Sequence, residues 1–171
     1  MKFNNPTIAP KLGFLVGVAL VGLSIAGVLA GYLMQREMLN ARIEQTRAIV
    51  DLGRNMAAGL QKQVEAGQLT KDAAIAEFSR RANSMTYEKG AGYLFGSTFD
   101  GITVLAQDPK QVGTNRMDVQ TNGRYISREL RDGVAAKGET TLYYDIKKPG
   151  DQEQLLRKMS YAVAIPAWNM Y

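Results

Sequence analysis

Hydrophobic and polar positions follow three regimes along the chain. Residues 12–34, LGFLVGVALVGLSIAGVLAGYLM, carry no charge at all. As a helix this run is about 34 Å long, enough to cross a hydrocarbon core of about 30 Å. The apolar region of a secretory signal is roughly 7–15 residues, so the run is too long for one. It predicts a transmembrane helix at 12–34, preceded by a cytoplasmic tail at 1–11. Lys2 and Lys11 lie before it, and Arg36, Arg42 and Arg47 follow, interleaved with Glu37 and Glu44. The basic residues are nearly balanced, so the short tail decides the orientation, with the remainder of the chain outside. Gly13 and Gly17, and again Gly27 and Gly31, have the spacing that lets helix backbones approach. That spacing predicts a homodimer, although glycine is frequent in membrane helices anyway.

The second regime has a helical period. Over residues 35–66, Ile43, Val50, Ala57 and Val64 recur every seven positions, with Leu39 and Leu60 on the neighbouring row. Gly67 supplies a stop and Thr70 an N-cap for the next helix. There Ile75, Phe78, Ala82 and Met85 form one buried stripe.

The third regime alternates. Residues 92–98 and 102–107 read as strands joined by Phe99, Asp100 and Gly101, and Asp108 with Pro109 ends the second. Residues 110–123 read as a loop. A short helix follows on Ile126, Leu130 and Val134, with Gly138 as its stop. Residues 140–146 and 155–165 form a second hairpin about 147–150. Pro166 breaks that strand, and 167–171 begins an extended segment. The fold class is α+β: an N-terminal transmembrane helix leads into a long helix and an antiparallel sheet, with residues 35–171 as one extracytoplasmic domain. A sheet of this order closes with an edge strand. The sequence stops as one begins, so the chain reads as a C-terminally truncated fragment.

Composition narrows the chemistry. There are no Cys and no His, which excludes the usual zinc sites, Ser-His and Cys-His nucleophile systems and any disulfide. Asp100, Asp108 and Asp118 match no cation-loop spacing, and the other carboxylates are scattered. No enzyme activity, metal or cofactor is expected. A net charge of +5 without a dense basic stripe gives no reason to expect nucleic acid as a partner.

An ordered set of short motifs adds to this: Gly92, Tyr93, Leu94 and Phe95; Phe99, Asp100 and Gly101; Gln107, Asp108 and Pro109 with Gly113 and Asn115; Lys148, Pro149 and Gly150; Lys158, Met159, Ser160 and Tyr161; and Pro166, Ala167, Trp168 and Asn169. Together they resemble the single Cache domain of the second type, the extracytoplasmic sensor of many bacterial methyl-accepting chemotaxis proteins, over residues from about 36 to 171. The resemblance implies a PAS-like antiparallel sheet with a pocket for a small molecule, often a short organic acid. It implies residence in the bacterial inner (plasma) membrane with the sensor periplasmic, and the transmission of a helix shift across it. In such receptors a final strand, a second span and a signalling region follow, through which cytoplasmic partners are reached. The same module also serves sensor kinases and cyclases, and a ligand-free anchored domain is the bland alternative. Two departures stand out. Thr86 with Tyr87 replaces the family's frequent Arg-Tyr, and Gln107 with Asp108 stands where a His often precedes the Pro. This removes two partners for an anion and brings in a neutral or otherwise different ligand as the alternative to a carboxylate.

Side chains alternate along a strand, so Tyr93 and Phe95 share a face. With a three-residue loop at 99–101, Phe95 opposes Leu105 and Tyr93 opposes Gln107. With a two-residue Asp-Gly turn, Tyr93 opposes Asp108 and Gln107 faces away. The resemblance favours the first register. In the second hairpin Leu142 and Tyr144 share a face, as do Met159, Tyr161, Val163 and Ile165, with Lys158 on the other side of that strand. The candidate ligand-binding residues are therefore Tyr93, Phe95, Gln107, Tyr144, Lys158 and Tyr161. Their plain alternative is a sheet core with a solvated lysine. Trp168 reads as a core plug, and Arg80, Arg81, Arg128 and Arg131 as helix-surface charges.

Overall fold

The computed structural model describes residues 8–148 and 151–171. The chain divides into two compact units, Met1–Gln45 and Thr46–Tyr171. Helix α1 (Ile8–Glu65) contributes to both.

In the first unit α1 presents its apolar side chains outward, Phe14 at 73% exposure and Val28 at 76% among them. Ser24 donates its hydroxyl to the Leu20 carbonyl at 2.8 Å, so this hydroxyl of the apolar run is satisfied within the helix. The helix Pro10–Glu65 is long and apolar enough to cross a membrane. Leu39, on the row beside the seven-residue repeat, stands 57% exposed.

In the second unit α1 turns a row of small and aliphatic residues inward: Gly53, Ala57 and Leu60 are buried and Val50 and Val64 half-buried. Gly67 ends the helix at φ +71°, a backbone region costly to any residue with a Cβ. Helix α2 (Lys71–Asn83) starts where Thr70 accepts a hydrogen bond from the Ala73 amide. Of its expected stripe Phe78 and Ala82 are buried, together with Ala74, while Ile75 and Met85, the latter beyond the helix end, are half-buried against the same core.

The first strand region departs from expectation. Residues 92–98 do not form one strand. Strand β1 (Thr86–Tyr87) pairs antiparallel with β2 (Gly92–Tyr93), across a tight turn with positive φ at Glu88 and Gly90. The Tyr87 ring lies where a Cβ on Gly92 would stand, 2.2 Å away, so glycine is required at this pairing. Leu94 then drops into the core, and β3 (Gly96–Ser97) pairs with β4 (Thr103–Leu105).

The three-residue loop forms: the Thr98 amide donates to the Ile102 carbonyl at 2.8 Å, and Ser97 opposes Thr103. One step further the register shifts, so that Gly96 opposes Leu105. This irregularity inserts one residue and turns the strand out of the expected register. Phe95 therefore does not oppose Leu105, and Tyr93 opposes Thr86 instead of Gln107.

A 3-10 turn at Pro109–Gln111 follows, with the Asp108 carboxylate accepting from the Lys110 amide. The irregular segment after it is anchored at Met117, whose buried side chain fills the space beside Gly101. Helix α3 (Ile126–Lys137) buries Ile126, Leu130 and Val134 as expected and ends on Gly138 at φ +79°. The second hairpin is longer than expected, β5 (Glu139–Lys148) with β6 (Asp151–Val163). Its turn at Pro149 and Gly150 lies outside the described residues. Instead of one continuous sheet, the named strands make three two-stranded ladders.

After β6 a 3-10 turn at Pro166–Trp168 and Asn169 at φ +53° take up most of the segment expected to be extended, leaving Met170 and Tyr171. Tyr171 exchanges both backbone hydrogen bonds with Ser97, at 2.9 and 3.0 Å, on the edge of β3 away from β4. Two cores result. One joins α1, α2, Leu94, Leu105, Trp168 and Met170. The other joins α3 to Tyr144, Ala162 and Tyr171, with Phe95, Phe99 and Leu142 packed against it.

Candidate functional site

The β5–β6 ladder sets the geometry. Tyr144 pairs with Lys158, Leu142 with Ser160 and Thr140 with Ala162, so these six side chains share one face. Thr141 with Tyr161 and Tyr143 with Met159 share the other. Lys158 thus lies on the face of Leu142 and Tyr144, away from Tyr161, and no bulge intervenes there.

On the first face Lys158 meets Tyr93. Its ammonium donates to the Tyr93 hydroxyl at 2.7 Å and stands 4.4 Å from the ring centroid. Both residues are half-buried. The phenol that holds this ammonium carries no charge to pair with it. Among the described residues no carboxylate pairs with Lys158. Beside it, the buried hydroxyls of Tyr144 and Ser160 share a hydrogen bond of 3.0 Å. Phe95 packs against the cluster that contains Tyr144. Tyr93, Phe95, Tyr144 and Lys158 therefore gather on one side of the hairpin, and they bring in Ser160, which was not among the expected residues. Its signal in the sequence was its even position on β6, two residues from Lys158.

The other two candidates lie elsewhere. Gln107 is exposed and donates its amide to the Gly90 carbonyl at 3.2 Å, pinning the β1–β2 turn to the end of β4. Tyr161 is buried on the opposite face, donates its hydroxyl to the Glu139 carboxylate at 2.7 Å, and carries the Arg47 guanidinium of α1 5.5 Å above its ring. Burial first, and the Glu139 hydrogen bond second, push the Tyr161 phenol up to about 12.

The helix arginines divide. Arg80 and Arg81 both bond Glu77 on the surface of α2. Arg128 does more than solvate α3: it donates to the Met117 carbonyl at 2.8 Å, pairs with Asp118 and lies over the Tyr125 ring. With Arg124, which donates to the Tyr143 carbonyl at 2.9 Å, it fastens the irregular segment to α3 and β5. Trp168 is a core plug, 2% exposed, edge-on to Phe78. Among the described residues no group of three or more carboxylates is placed to hold a metal ion.

Known proteins share this arrangement of elements. The family model described as single Cache domain 2 matches residues 38–171. The methyl-accepting chemotaxis protein CtpM of Pseudomonas aeruginosa is 30% identical over 99 residues, 57% of this chain. The chain spans 17% of that relative's length. A solved structure described as the structural basis for carboxylic acid recognition by a Cache chemosensory domain superposes with a TM-score of 0.70 at 20% identity, covering 79% of this chain and 92% of that one. A periplasmic sensor domain of a chemotaxis protein gives 0.70 at 21% identity, over 78% and 92%. A methyl-accepting chemotaxis protein from Vibrio parahaemolyticus gives 0.62 at 22% identity, over 79% and 87%. At these identities the structural matches speak for the fold.

Proposed function

The chain belongs to the single Cache domain 2 family, and from that premise we propose that it is the ligand-sensing input region of a bacterial transmembrane chemoreceptor. Its ligand is a small carboxylate held at Lys158. The observation that carries this reading is the half-buried Lys158 ammonium, positioned by the Tyr93 hydroxyl and unneutralised by any carboxylate among the described residues. A carboxylate is the natural complement, because it meets the ammonium in a charge-assisted hydrogen bond. The Tyr93 hydroxyl and one of the mutually bonded Tyr144 and Ser160 hydroxyls offer further donors, and Phe95 offers an apolar wall for a short carbon chain. The carboxylic acid recognition described for one structural neighbour agrees with this chemistry.

The wider assignment follows. Residues 1–11 are the cytoplasmic tail, 12–34 the span through the inner membrane, and 35–171 the periplasmic sensor. The receptor is a homodimer that reaches its cytoplasmic partners through a region downstream of residue 171. The apolar helix and the chemotaxis relatives support this layout. A ligand acts by binding one arrangement of hairpin and helix better than another, and shifts the balance by that difference in affinity alone.

A thermal-shift titration of the chain in detergent micelles with sodium acetate, pyruvate and succinate at fixed ionic strength tests the site. At about one hundred times Kd, a ligand adds about 2.7 kcal/mol of stability. For a domain of this size that raises the midpoint by on the order of 5–10 °C. Lys158→Met is expected to remove the rise while leaving the ligand-free midpoint within a few degrees. No rise with any of the three, or an undiminished rise in the variant, would sink the reading.

A further inference from the structure

We infer that Arg47, Tyr161 and Glu139 form a joint that couples the Lys158 face of the β5–β6 hairpin to helix α1. The inference rests on the reading of Lys158 as the ligand's anchor and extends it to what happens after binding.

Strand β6 is the element on which the two sites meet. Lys158 and Ser160 point to one face and Tyr161 to the other, yet Ser160 and Tyr161 are neighbours in the chain. The ladder pairs residues continuously from Glu139 opposite Val163 to Lys147 opposite Leu155, and its register shift falls between Lys147 and Lys148, away from these residues. Within that stretch a tilt or slide of β6 moves both faces together, because each residue is fixed to a partner on β5.

On the second face Tyr161 is held at two points. Its hydroxyl donates to Glu139 at 2.7 Å, and its ring lies 5.5 Å from the Arg47 guanidinium. Both contacts depend on geometry. The first is a charge-assisted hydrogen bond and the second falls away once the cation leaves the ring axis. Tyr161 is 7% exposed, so its ring is shielded from water, whereas Glu139 stands at the exposed start of β5. The other buried residues of α1 in this unit, Gly53, Ala57 and Leu60, are apolar and tolerate sliding, and its directional contact at Gln61 goes to Trp168, outside β6. A small displacement of β6 is therefore felt by α1 most sharply at Arg47, one turn before Asp51. N-terminal to Arg47 the same helix continues into the apolar run. Arg47, Tyr161 and Glu139 act here as positioning residues and touch no ligand.

Hydrogen exchange by mass spectrometry on the 171-residue chain in micelles, with no ligand added, reads this coupling. Lys158→Met removes the link to Tyr93 on the first face. It is expected to change amide exchange across residues 43–52 of α1 by about 5-fold or more, the lower end of ordinary site-to-site coupling. In a Tyr161→Phe background, which keeps the ring and loses the Glu139 bond, that change is expected to shrink below about 2-fold. Glu139→Gln, which keeps both the ring and an acceptor, is expected to give an intermediate change and serves if Tyr161→Phe does not fold. An unchanged α1 in Lys158→Met, or an equal change in all backgrounds, overturns the joint. The outcome is separable from the binding test. Thermal shifts without coupling remove the joint and leave the sensor, and coupling without thermal shifts removes the carboxylate site and leaves the joint.

Discussion

A single phenol records how the hairpin is held. Tyr161 titrates at about 12 in the folded protein, against an ordinary value of 10.0, through burial and its hydrogen bond to Glu139. The folded state therefore keeps a proton that the unfolded chain releases. Its contribution is complete below about pH 10 and is lost as pH rises toward about 12. The groups facing it are Glu139 and Asp51, whose charges oppose ionisation, and Arg47, whose charge favours it. Chemical denaturation of the chain at successive pH values should show stability falling through that window. Tyr161→Phe should flatten the fall. An identical pH profile in the variant would mean that the titration belongs to other residues.

Among elements, the seat of α3 on β5 offers a clear test. A Cβ on Gly133 would stand 2.5 Å from the Thr140 hydroxyl and 2.8 Å from its Cβ. Thr140 is β-branched and fixed in a strand, so it cannot swing aside. Two effects compete in Gly133→Ala. Helix propensity favours alanine by about 1 kcal/mol, whereas overpacking costs about 1–3 kcal/mol. The clash includes atoms close to the backbone, so overpacking wins, and urea denaturation should show a net loss of up to about 2 kcal/mol. A gain in stability would show that α3 lifts off β5 without cost.

The same comparison of elements explains what could be read from the chain. Thr70, Gly67 and Gly138 announce their caps because the signal is local, a hydroxyl or a glycine at one backbone position. The burial of Phe78, Leu130 and Val134 follows from periodicity, which needs no knowledge of partners. The break at Leu94 and the shift at Gly96 were not legible, since both are settled by contacts remote in sequence. Tyr87 lies across Gly92, and residue 171 pairs along the outer edge of β3. Alternation placed Lys158 and Tyr161 on opposite faces of β6 correctly. That Arg47 would stand over Tyr161 was beyond any reading of period or motif.

For the whole molecule, one residue joins the helices of the second unit. The Trp168 indole donates to the Gln61 side chain of α1 at 2.8 Å, packs edge-on against Phe78 of α2 with centroids 5.5 Å apart, and is 2% exposed. Truncating so large a buried side chain costs about 3–5 kcal/mol, a large share of the 5–15 kcal/mol that holds an ordinary domain together. Trp168→Ala should lower the thermal midpoint by roughly 10 °C or more, and a loss of only a degree or two would contradict its place at the junction of the helices. Its separation from Gln61 is 107 residues. Both helices therefore share a core with Trp168 and Met170, partners remote from them in sequence. Trp168 is also the sole tryptophan, so nature has placed one intrinsic fluorophore at the final closure. The colour of its emission, blue when shielded and red when wet, times the moment at which the unfolded chain becomes a closed Cache domain.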